Sequence, residues 1–120
     1  MIEFAAIGQE FSSSPTQRFP ALVDHLASEF GWRPFYFAPA PDAGTNVRAE
    51  RFPCLEFEAV PTEIHYGSPL GRLEYLDRVA RRCNFLKPTV LFFEGAYNLA
   101  LLAKLDYTPQ RVVLAQDEAL

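Results

Sequence analysis

No stretch of this 120-residue sequence approaches the roughly 20 consecutive apolar residues of a membrane-spanning helix, so no transmembrane segment is expected. Positive charge is in deficit. The net charge of −4 gives no case for nucleic acid or an anionic surface as a partner. Met1 runs straight into Ile2-Glu3-Phe4 with neither a basic region nor a cleavage site, so no signal peptide is read there and a cytoplasmic location is expected. Cysteine is limited to Cys54 and Cys83, which are not spaced as zinc ligands. They read as small buried hydrophobes in a reducing compartment, and no metal site is expected. Glycine is scarce, with 6 residues, and the loop after Gly8 has none. What the sequence does have is apolar content: 49% hydrophobic and 14% aromatic residues. That places it among globular chains, as a single domain spanning residues 1–120.

The stretch 87–120 organises the rest. Thr89-Val90-Leu91-Phe92-Phe93 is continuously apolar, as expected of a strand covered on both faces of a parallel sheet. Gly95 lets the chain turn, and Tyr97 to Leu105 reads as a helix packed deep against that sheet. Pro109 stops it, and Arg111-Val112-Val113-Leu114-Ala115 reads as a second buried strand. Upstream, Ile2–Ile7 is a first strand, followed by the hydroxyl-rich loop Phe11–Thr16. Phe19, Leu22, Val23, Leu26 and Phe30 share one helical face, and Gly31 ends that helix. Pro34–Ala38 is the next strand, and Pro39–Pro53 a surface loop. Leu55–Val60 alternates, with Glu56 and Glu58 on a face expected to be wet, as at a sheet edge. Ser68-Pro69 opens a helix whose predicted buried stripe is Leu70, Leu73, Leu76, Val79, Ala80 and Cys83. Glu74–Arg78 and Asp77–Arg81 are its expected four-apart ion pairs. The other arginines of this helix, with His25 and the His65-Tyr66 loop, read first as solvated surface.

Strand, helix, strand, strand, helix, strand, helix, strand with right-handed crossovers predicts a Rossmann-like, doubly wound parallel sheet of about five strands. Its expected order is 3-2-1-4-5, in three α/β/α layers. Ligands bind such sheets at the carboxyl ends of the strands where the order reverses, here between the first and fourth. The candidate site residues follow from that point. Asp117 and Glu94 are the carboxylates with catalytic potential. Gln116, Gly95, Tyr97 and Asn98 surround them, and Ser13, Ser14 and Thr16 offer hydroxyls ahead of a helix N-terminus. The fifth strand falls at an edge, which suggests a homodimer pairing along residues 111–116.

The runs RLEYLDRVARRCNFLKP, TVLFFEGAYN and LAQDEAL together resemble the N-terminal domain of GT-B fold glycosyltransferases, the large retaining, nucleotide-sugar-dependent group. The resemblance covers residues 52–120 best. It implies transfer of a sugar from a nucleotide-sugar to a sugar or glycolipid acceptor, with this domain shaping the acceptor side. The donor would be held by a second, C-terminal domain, so the chain alone is expected to be inactive and to bind no cofactor itself. Through glycolipid acceptors, the resemblance also leaves open a peripheral position at the inner membrane face. Two positions depart from the family pattern. The first loop lacks paired glycines, and Gln116 stands where histidine often precedes the aspartate; a glutamine cannot accept a proton at neutral pH. A flavodoxin-like module using Ser12–Thr16 on a flavin phosphate, or a non-catalytic interaction domain, are the competing readings.

Overall fold

The computed structural model describes residues 4–8, 18–39 and 52–115. It has the predicted architecture: a five-stranded, wholly parallel sheet in the order β3-β2-β1-β4-β5. The strands are β1 (Phe4–Ile7), β2 (Phe35–Pro39), β3 (Glu56–Val60), β4 (Val90–Glu94) and β5 (Arg111–Ala115). Helix α1 (Arg18–Phe30) joins β1 to β2, and α2 (Pro69–Leu86) joins β3 to β4. Side-chain alternation along the central strands divides the core in two. Ala5, Ile7, Phe37, Leu91 and Phe93 pack with Tyr75, Leu76, Val79 and Cys83 of α2. Phe4, Ala6, Tyr36, Ala38, Val90 and Phe92 pack with Phe19, Val23 and Ala27 of α1. Burying β1 and β4 on both faces is why their sequences are apolar without alternation.

Both helices sit a little rotated from their predicted faces. In α1, Leu22 and Phe30 are 45% and 62% exposed, and Pro20 and Ala27 are buried instead. Gly31, at φ 67°, closes the helix while the Trp32 amide donates to the Ala27 carbonyl at 2.9 Å, a Schellman-type end. In α2, Ser68 caps as predicted, its hydroxyl accepting from the Gly71 amide at 3.1 Å. Yet Leu70 and Leu73 are exposed, and Gly71 and Tyr75 are buried in their place. The buried rows are 71-75-79-83 and 76-80, with Gly71 set against the backbone of Ile64 and His65. Cys83 and Cys54 belong to cores on opposite faces of the sheet and are both free thiols.

Four further expectations are corrected. Glu56 is exposed, but Glu58 on the same face is only part-exposed, because Arg82 reaches down from α2 and grips it with two hydrogen bonds of 2.7 and 2.9 Å. Asp77 pairs with Lys104 rather than Arg81, while Glu74–Arg78 forms as expected at 3.1 Å. Ala96–Lys104 is a 3₁₀ helix rather than an α-helix, and only Asn98 and Leu101 of it are buried. β5 is no buried strand either. It pairs with β4 alone among the described residues, and Val112, Val113 and Leu114 are 42%, 38% and 40% exposed.

Candidate functional site

The strand order reverses between β1 and β4, which pair in parallel from Phe4–Val90 to Ile7–Phe93. Their carboxyl ends leave the sheet side by side, at Gly8 and at Glu94-Gly95. Gly8 is held from two sides. Its amide donates to the Phe37 carbonyl at 2.7 Å, and its own carbonyl accepts from the Tyr75 hydroxyl at 2.8 Å. The same hydroxyl lies 3.0 Å from the Phe37 carbonyl, so one proton is shared between the ends of β1 and β2. Burial holds the Tyr75 phenol well above its ordinary pKa, with smaller contributions from Tyr66, Tyr36 and Glu94. It therefore stays a neutral donor. A Cβ on Gly8 would lie 2.8 Å from the Tyr36 hydroxyl oxygen, so a larger residue there requires the end of the Tyr36 side chain to shift.

The β4 exit is a tight turn. Gly95 adopts φ 78° and ψ 140°, a region that suits glycine, and its amide donates to the Ala115 carbonyl at 3.0 Å. The ends of β4 and β5 are thereby joined. Asn98 follows at 3% exposure. Its side-chain Nδ2 donates to the Glu94 carbonyl at 3.0 Å and its amide to the Gly95 carbonyl at 3.2 Å. The side chain braces the turn from within, and none of the described residues donates to its Oδ1. Tyr97 points the other way and is 57% exposed. Arg72, in the first turn of α2, lies over its ring with Cζ 4.6 Å from the centroid.

The rim beyond β3 is stiff. Glu74 accepts from the amides of Glu63 and Ile64, each at 2.9 Å. Those two bonds, aided by Arg78, hold its carboxyl below the ordinary value. The His65 carbonyl takes both the amide and the hydroxyl of Ser68, at 3.0 and 2.7 Å. His65 itself is exposed, and Tyr66 meets Tyr75 edge-on at 5.3 Å.

Of the predicted site residues, Glu94, Gly95, Tyr97 and Asn98 come together in this single turn. Ser13, Ser14, Thr16, Gln116 and Asp117 lie outside the described residues. Sequence reasoning missed Tyr75 and Arg72. Tyr75 had one available signal, its place in the four-apart row running from Gly71 to Cys83. Among the described residues there is no group of three or more His, Cys, Asp or Glu arranged to hold a metal ion, and no helix is long and apolar enough to cross a membrane. No protein-family model matches this sequence, and a comparison with curated proteins finds no match.

Proposed function

We propose that this domain is the acceptor-side half of a GT-B-type glycosyltransferase, acting in the cytoplasm on a sugar or glycolipid acceptor with a nucleotide-sugar as donor. One observation carries the reading. The topological reversal point of the sheet is furnished with a carboxylate, a tight glycine turn, an exposed aromatic ring and a buried amide within five residues, Glu94 to Asn98. Carboxylates and amides bind sugar hydroxyls through paired hydrogen bonds, and an exposed tyrosine offers a flat face to a sugar ring. In this reading Glu94 and Asp117 take hydroxyl protons or orient the acceptor. Gln116 and Asn98 contact hydroxyls, Tyr97 stacks, Gly95 allows close backbone approach, and Ser13, Ser14 and Thr16 offer hydroxyls to the ligand.

Such enzymes close their site between two facing halves, so this domain alone binds acceptor and transfers nothing. The test is titration of the isotopically labelled chain with neutral methyl glycosides, followed by amide chemical shifts. Saturable shifts at Glu94, Gly95 and Asn98 that weaken in Glu94→Gln support the reading. Sugar transfer or hydrolysis of a nucleotide-sugar by this chain alone would overturn it.

A further inference from the structure

The cations of α2 are the arginines Arg72, Arg78, Arg81 and Arg82, and two of them are held in ion pairs. Arg78 pairs with Glu74 and Arg82 with Glu58. Outside α2, Lys104 pairs with Asp77 and Lys87 with Asp106. Arg81 is exposed on the outer helix face. Arg72 differs from all of them. It is half-buried, it sits on the Tyr97 ring at the β4 exit, and no carboxylate among the described residues pairs with it. The guanidinium carbon lies over the ring, and none of the described residues accepts a hydrogen bond from its N–H donors. Among the described residues the Tyr97 ring is the partner that holds this half-buried cation, and it leaves the charge without an anion.

We infer that the ligand taken at this crevice carries a phosphate group and that Arg72 binds it. This rests on the reading of the crevice as a ligand site and adds the class of ligand. A guanidinium is charged at every accessible pH and matches phosphate oxygens with two parallel donors. Its contact with the Tyr97 ring restrains the side chain in advance, so less of its freedom is lost when the anion arrives. Glu94 repels an anion, which sets the phosphate towards α2 and the hydroxyl-bearing part of the ligand towards the β4 exit. A neutral sugar gains nothing from Arg72; a sugar phosphate does.

The experiment uses the whole chain at low ionic strength, titrated separately with inorganic phosphate and with neutral methyl glycosides, and read by NMR. Inorganic phosphate is expected to shift the Arg72 side-chain Nε–H and the Tyr97 amide saturably. Loss of a charge-assisted contact should weaken that binding about tenfold to a hundredfold in Arg72→Gln. Arg72→Lys keeps the charge but not the fork and should recover only part of it, while melting curves show that both variants remain folded. Phosphate shifts confined to other arginines, or an affinity unchanged in Arg72→Gln, would overturn the inference. The glycoside arm judges the crevice itself, so a phosphate failure beside glycoside shifts at Gly95 and Asn98 removes the phosphate and leaves the acceptor site standing.

Discussion

A glycine in a helix interior ordinarily costs about 0.5–1 kcal/mol relative to alanine, so Gly71→Ala looks like a simple stabilising change. The packing reverses the sign. A Cβ at Gly71 would lie 1.9 Å from the His65 carbonyl oxygen and 2.5 Å from its carbon, and both are backbone atoms of a loop that Glu74 and Ser68 hold in place. Forcing them apart costs about 1–3 kcal/mol, so Gly71→Ala is expected to be net destabilising in urea unfolding. An equal or higher midpoint would show that the loop yields. Tyr75→Phe tests the neighbouring contact. The Gly8 carbonyl has the Tyr75 hydroxyl as its donor and lies beneath buried side chains, so the variant should lose about 1–3 kcal/mol with no change in the slope against urea. The thiols make a kinetic pair. Burial pushes Cys83 up to about 12, whereas Cys54 is half-buried. An alkylating reagent should modify Cys54 in the native protein and Cys83 only on unfolding; labelling of Cys83 at a comparable rate in the folded chain would contradict its placement in the core.

At the scale of elements, the strands and their order were legible because period and position agree. Continuous apolar runs mark β1 and β4 as central, and the alternation of Leu55–Val60 marks β3 as an edge. Helix faces were legible only to within a rotation. Leu70 and Leu73 are the larger hydrophobes, but Gly71 is buried against the backbone of the loop at His65, and Tyr75 is buried where its hydroxyl reaches the strand ends. Tyr75 bonds carbonyls 67 and 38 positions away, which no local pattern can show. The same limit hid Arg72, whose ring partner follows a different strand. Glu58 misled for another reason: an alternating glutamate looks solvated until a long side chain from the covering helix reaches it.

The loop over α2 also carries a pH dependence. The amides of Glu63 and Ile64, then Arg78, favour the charged form of Glu74, so its folded pKa lies below the unfolded one. The linked stabilisation is therefore complete above the unfolded value and disappears as pH falls through the folded value. Amide shifts of Glu63 and Ile64 should titrate together in that acidic range and lose the transition in Glu74→Gln. Their independence of Glu74 protonation would mean that the loop is held without it.

For the whole molecule the unsettled feature is the β5 side of the sheet. The β3 edge carries Glu56 and the Glu58–Arg82 pair, charges that discourage further strand pairing. β5 has no such protection beyond Arg111. Successive side chains point to opposite faces, so exposure of Val112, Val113 and Leu114 together means that both faces of the strand are open to water at once. Its register with β4, Val90–Arg111 through Glu94–Ala115, uses one backbone edge, and among the described residues no strand pairs with the other. A second copy meets that need with identical chemistry: two β5 strands related by a two-fold axis pair antiparallel and continue both sheets. The chain is accordingly expected to dimerise along residues 111–116, with a sedimentation coefficient that rises with concentration. Val113→Asp places a desolvated charge in the middle of that pairing and should return the monomer, with the circular dichroism of the fold retained. Wild-type protein that stays strictly monomeric at the highest concentration it tolerates would rule out this edge as a self-association surface.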